Sequence, residues 1–200
     1  MKSYMKGVVS IGYRTVRAMC VFTGLGVTAC SSVSGIDPST VSPISNNDTY
    51  ATLGYLWAGA RSAIQSKREP STDAFSLPLT YALPCTRGGQ GAYQGTLAGT
   101  KSGGTGSATL SLGAAIAACQ FDDNVRITTI SAPVLTVSGT VAVVNDAWGA
   151  VSIHMVATTV TVNGVACPGG IDVILTGTSP SAQLVSTGTA CGRVGAVTLP

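Results

Sequence analysis

Six cysteines and a single histidine are the residues of this 200-residue chain best suited to chemistry. His154 stands in Val-Ser-Ile-His-Met, an alternating segment that puts the imidazole on the polar side of a strand. Acid–base or nucleophilic catalysis needs a nucleophile and an orienting acid around such a histidine, and no G-x-S-x-G elbow occurs. A solvated or hydrogen-bonded side chain is the simpler expectation. Asp122 and Asp123 are adjacent in a turn and diverge if extended, whereas glycoside hydrolysis needs two acids converging across a sugar. A calcium loop requires alternating acidic ligands and a later Glu, which are missing. Gly103-Gly104-Thr105-Gly106 lacks the Lys-Ser/Thr that follows a phosphate-binding loop and reads as a hairpin turn. With one histidine and no C-x-x-C, zinc-ligand spacing is absent. The expectation is therefore no catalytic residue, no metal and no cofactor.

The charges narrow the partners. Charged residues make up 10% of the chain, against about 25% in ordinary soluble domains. Lys2, Lys6, Arg14 and Arg17 account for the net charge of +3, so the rest of the chain carries seven basic residues against eight acidic ones. The basic residues of the body are scattered apart from Lys67-Arg68, which excludes an electrostatic footprint for nucleic acid.

The first thirty residues read as an address. A basic stretch without acids is followed by an apolar or small run from Ala18 to Ala29, which is the order of a secretory signal over residues 1–29. The apolar run spans about twelve residues, short of the roughly 20 that cross a bilayer as a helix. Its end, Val27-Thr28-Ala29-Cys30, resembles the lipobox of bacterial lipoproteins. That resemblance implies cleavage between Ala29 and Cys30, a thioether-linked diacylglycerol on Cys30, and a membrane held through acyl chains. Ordinary secretory cleavage after Ala29 stays open as the alternative. So does Met5 as the start. Two or three chains suit stable anchoring, since one alone is marginal. Ser31, in place of the Asp that retains Gram-negative lipoproteins at the inner membrane, favours the outer membrane by the same resemblance.

With Cys20 lost in the signal and Cys30 in the anchor, Cys85, Cys119, Cys167 and Cys191 remain. An even number in an exported chain implies two disulfides with three possible connectivities. Sequence proximity favours Cys85–Cys119 and Cys167–Cys191, each tying neighbouring strands.

Positioning these residues falls to one helix and a run of strands. After a Ser-, Pro- and Asn-rich tether to residue 47, Leu53, Leu56, Trp57, Ala60 and Ile64 share one helix face, predicting a helix over 49–68. Asn47 or Asp48 is expected to cap its start, Lys67 and Arg68 suit its end, and Pro70 forbids continuation. Residues 70–84 form a segment rich in Ser, Pro and Leu that leads to Cys85, with the strand period placed from there on. From Cys85 onward the period is two, in six to eight strands separated by turns such as Asn145-Asp146, Asn163-Gly164 and Pro168-Gly169-Gly170. A phase shift near Met155 to Thr158 suggests a bulge. Connections too short for crossover helices demand an antiparallel sheet. The fold expected over 48–200 is thus mainly β, an antiparallel meander forming a sandwich, half-barrel or small barrel, with one amphipathic helix packed on it.

The lipobox, tether and helix, followed by Cys-Thr-Arg-Gly-Gly, Ala-Ala-Cys-Gln-Phe, Cys-Pro-Gly-Gly and Thr-Ala-Cys-Gly in a Gly/Thr-rich meander, resemble Gram-negative lipoproteins whose mature part is a β-domain with paired cysteines. The resemblance carries no catalytic residue with it. The resulting expectation is a non-catalytic binding or structural domain anchored in the bacterial envelope, meeting an envelope protein partner. One alternative is a carrier or sensor whose cavity, lined by Leu56, Trp57, Ile153 and Met155, holds a lipid or other hydrophobic ligand. An envelope hydrolase is the second.

Overall fold

A computed structural model describes residues 42–67, 70–122 and 127–199. Helix α1 runs Asn46–Gln65, followed by β1 Ala74–Ala82, β2 Gly88–Ser102, β3 Thr105–Asp122, β4 Ile127–Val144 and β5 Ala147–Ala157. The short strands β6 Thr161–Val162 and β7 Val165–Ala166 precede β8 Ile171–Gly177, β9 Leu184–Ala190 and β10 Arg193–Leu199. All pairings are antiparallel, in the order β1-β2-β3-β4-β5-β8-β9-β10, with β6 paired to β4 and β7 to β6. The path is open at β1 and β10, so the barrel is not closed. A meander carrying one helix is the architecture that the alternation predicts.

Helix α1 packs against β1, β2, β4 and β10. Because β1 and β10 are the two edges, the sheet must curl around the helix. Positive backbone angles at Gly139 and Gly188 permit that curl, since a Cβ at Gly188 would sit 2.3 Å from the Asp172 carbonyl oxygen. Register shifts between β3 and β4 add to the bend, with the extra residue on β4 opposite Ala114–Ile116 and on β3 between Ile116 and Cys119. Ala118 takes a positive φ of 46° there, and the inward set switches from Leu110, Leu112 and Ile116 to Cys119 and Phe121.

The helix begins earlier than the apolar spacing indicates. Ser45, not Asn47 or Asp48, is the N-cap: its Oγ accepts from the Asp48 amide at 3.1 Å and donates to the Asp48 carboxylate at 2.6 Å. This N-cap satisfies one orphan amide at the helix start, with the Asp48 carboxylate held on the capping hydroxyl. Ile44 is buried just before it, so packed structure reaches into the stretch assigned to the tether. The helix ends at Gln65 with no basic residue in its last turn. Lys67 lies beyond it, its amide bonded to the Ile64 carbonyl, while Arg68 falls outside the described residues.

Two other expectations are corrected. Residues 74–82 form an edge strand, with Phe75, Leu77, Leu79 and Tyr81 turned towards the core and Pro78 on the outside. Pro78 tilted the reading away from a strand, yet a proline lacking its N–H is admissible where no further strand pairs. The phase shift after Met155 is a strand end rather than a bulge. Beyond Ala157 the chain leaves β8 as its partner and places Thr161 and Val162 against Ser131 and Ile130 of β4.

Two helix glycines give a test of the enclosure. A Cβ at Gly59 would lie 2.7 Å from Leu83 Cδ2 and inside contact distance of the Tyr93 ring, whereas a Cβ at Gly54 meets nothing within 4 Å. Gly59→Ala should lower unfolding stability by about 1–3 kcal/mol despite its helix propensity, and Gly54→Ala should raise it by about 0.5–1 kcal/mol. Urea denaturation followed by circular dichroism checks the opposite signs; equal shifts would refute this packing.

Candidate functional site

The helix fills the inner face of the sheet, and its buried side chains decide what that face can do. Leu56, Trp57, Ile153 and Met155 all belong to one apolar cluster, each 0% exposed. None of them lines the surface clefts described below. Tyr93 of β2 is buried among them and donates its hydroxyl to the Leu56 carbonyl at 2.7 Å. Burial, and secondarily the charge of a nearby Tyr55 phenolate, drive the Tyr93 phenol well above its ordinary 10.0. Tyr55 is shifted upward too, by burial and then by Tyr81. It stacks on Phe121 with centroids 3.9 Å apart and donates to the Pro84 carbonyl at 2.9 Å. Thr52 Oγ1 and Trp57 Nε1 are buried without a hydrogen-bond partner, an energetic cost that the surrounding apolar packing must offset.

The outer face has opposite chemistry. Register partners trace one exposed row from β1 to β10 through Pro78, Thr96, Ser111, Ser138, His154, Ile174, Thr187 and Ala196. The adjacent row runs through Ser76, Ala98, Thr109, Thr140, Ser152, Thr176, Val185 and Thr198. Ten of these sixteen side chains are hydroxyls, repeating across strands about 4.8 Å apart. The alternation puts them there because the intervening residues, such as Leu110, Val137 and Ile153, are needed by the core.

His154 sits in the first row with its side chain 48% exposed, and its Nε2 lies 2.7 Å from Asp172 Oδ1. Ser138 is the residue opposite on β4. An exposed pair of this kind is screened by water and contributes little stability. It offers a polar contact point on the hydroxyl surface. The turn acid Asp122 pairs with Arg87 at 3.1 Å, and Asp123 lies outside the described residues.

Clefts occur at three places. Two shallow grooves of about 420 and 430 Å³ adjoin through Ala92 and Ala115 at the bend of β2 and β3, lined largely by Ala and Gly with Gln90 and Gln94. A third, of about 330 Å³, lies beyond the helix C-terminus between Trp148, Lys67 and Pro180. There Gln65 donates to Ser181 Oγ at 2.8 Å, and Trp148 packs edge-on against Phe75. A small cleft of about 50 Å³ separates the helix start from β9 and β10.

Both disulfides follow the pairing favoured by sequence proximity, Cys85–Cys119 and Cys167–Cys191. Each has at least one partner in a connection rather than joining two neighbouring strands. Cys85, in the β1–β2 connection, meets the bulged end of β3, and Cys167, after β7, meets the β9–β10 turn. Among the described residues no group of three His, Cys, Asp or Glu is placed to hold a metal ion, and no helix is long and apolar enough to cross a membrane. Ala29 and Cys30 lie outside the described residues. No protein family, curated protein or solved structure matches this chain.

The elevated Tyr93 phenol sets an alkaline limit. A group bound more tightly to its proton in the folded state stabilises fully below the unfolded value of 10.0 and loses that contribution as pH rises through the folded one. Above pH 10 the stability of the native chain should fall more steeply than that of Tyr93→Phe, by about 1.4 kcal/mol per pH unit. Urea midpoints at pH 9 and pH 11 measure the difference, and parallel slopes would remove the buried phenol as its cause. On the outer face, His154→Ala and Asp172→Asn should each change stability by less than about 0.5 kcal/mol, read from thermal unfolding.

Proposed function

We propose that this chain is a non-catalytic binding or structural module of the bacterial envelope, held at the membrane by acyl chains on Cys30 and favouring the outer membrane. The observation that carries the reading is the division of labour between the two faces of the sheet. The inner face is occupied by the chain's own helix, with Leu56, Trp57, Ile153 and Met155 buried against one another. The outer face is left open as rows of Ser and Thr hydroxyls around the His154–Asp172 pair. Such a surface donates and accepts hydrogen bonds in a regular array, which suits docking to an envelope partner more than covalent chemistry. The two disulfides support an oxidising compartment. Val27-Thr28-Ala29-Cys30 supplies the anchoring signal.

The carrier reading has less support, because the residues that would line its cavity are the ones filling the core.

Intact mass of the protein extracted from membranes tests the proposal. The mature polypeptide should begin at Cys30, carry diacylglycerol with or without a third acyl chain, and be four hydrogens lighter than the reduced chain. Cys30→Ser should move the protein from the membrane fraction to the soluble one. A mature mass starting elsewhere without added hydrocarbon, or a Cys30→Ser protein still sedimenting with membranes, would end the anchored reading.

A further inference from the structure

Residue 42 enters the domain at one identifiable place. A Cβ built on Gly192, in the β9–β10 turn, would lie 3.7 Å from that of Ser42 and 3.4 Å from that of Pro168. Arg193 donates to the Ile44 carbonyl, its Nε at 3.2 Å. The turn after β6 reaches the same end, where Asn163 Nδ2 donates to Asp48 Oδ1 at 3.4 Å. The helix start, the β6–β7 hairpin and the first residues of β10 therefore surround the entry.

Each of these segments exposes one large apolar side chain: Tyr50 at 40%, Val165 at 42% and Val194 at 84%. Tyr50 and Val194 line one cleft. We propose that this end of the domain rests on the lipid surface, with Tyr50, Val165 and Val194 in the headgroup region. The inference rests on the acylated Cys30 of the preceding section. Eleven residues lie between Cys30 and Ser42, a reach of at most about 42 Å over twelve Cα–Cα steps. The other end of the 20-residue helix lies about 30 Å from the entry. To set that far end on the membrane, the connecting residues would have to run back along the domain nearly straight. The entry end can meet lipid with any path they take.

Each end carries an ion pair, Arg87–Asp122 where β3 meets β4 on the entry side and Lys101–Asp146 on the far side, so the ends differ in their exposed apolar residues. Around the entry, Arg193 is engaged by Ile44 and Asp48 by Ser45 and Asn163, so the contact is apolar rather than electrostatic. A tyrosine, with an apolar ring and a polar hydroxyl, suits the interface. The far end carries the Lys101–Asp146 ion pair and the Gln65–Ser181 hydrogen bond, with Val144 and Val185 exposed singly. Anchoring supplies a high effective concentration, so shallow insertion of a few side chains is sufficient to hold the orientation.

The test uses the full chain, processed in Gram-negative cells, extracted in detergent and reconstituted into phosphatidylcholine vesicles, with intact mass recorded first. Hydrogen exchange is compared with that of Cys30→Ser protein free in buffer. Amides of 48–52, 163–167 and 193–195 should exchange at least roughly threefold more slowly on vesicles. The effect should be equal in high salt and with added phosphatidylglycerol, as an apolar contact requires. Val194→Asp combined with Val165→Asp should abolish the slowing while the protein still floats with vesicles, and Val185→Asp should leave it intact. Slowing at the 102–105 and 144–147 turns, slowing spread over the outer rows, or none in protein whose mass shows acyl chains would overturn the proposed surface alone. A mass without acyl chains would overturn the anchor and this inference together.

Discussion

Enclosure of an apolar helix by a single sheet is the constraint on which the rest of this molecule depends. Helix α1 has two glycines in its interior, and a helix of this length gains most of its stability from packing. The inner rows of the sheet are equally incomplete without it, because Leu97, Leu110, Ile153 and Leu175 would otherwise face water. Neither element buries its apolar side alone. Curling is the geometric consequence, and Gly139, Gly188 and the register shifts between β3 and β4 are where the backbone accommodates it.

That curvature explains where the covalent links lie. Strands in a meander are already fastened to their neighbours by ladder hydrogen bonds, so a bridge between them adds little constraint. The disulfides instead fasten the connections at which the curled sheet has fewest ladder bonds, around Cys85 and around Cys167. Loops of 34 and 24 residues are closed in this way, each worth about 3.5–4 kcal/mol in the chain-entropy account.

The legible parts of the fold were those with a strong period. Leu53, Leu56, Trp57, Ala60 and Ile64 pointed to the helix and to its buried face, and alternation from Ala108 to Leu175 pointed to an antiparallel meander. Edge effects were less visible. β1 alternates as regularly as any strand, but Pro78 and the flanking Ser and Pro residues carry the composition of a loop. The true helix cap was obscured because Ser45 sits inside a stretch of low complexity, three residues before the Asp48 amide it caps. The hop from β5 to β6 looked like a bulge because both produce a change of parity, and only the pairing partner separates them. At the candidate site, the Ser and Thr positions were readable as a polar face, whereas the His154–Asp172 contact was not. It joins residues 18 apart on strands whose register no local pattern specifies. Nothing in the spacing distinguished a filled core from a hollow one either, since the same apolar residues serve both.

The unequal borders of the sheet limit how it can assemble. Pro78 interrupts the donor row along β1 and projects its ring where an incoming backbone would lie, while β10 carries no proline. Head-to-tail stacking into a filament requires two competent borders, one to give and one to receive. This sheet has one. An addition along β10, from another copy or from a foreign strand, leaves β1 as the next border and so offers no second site for growth along the main path.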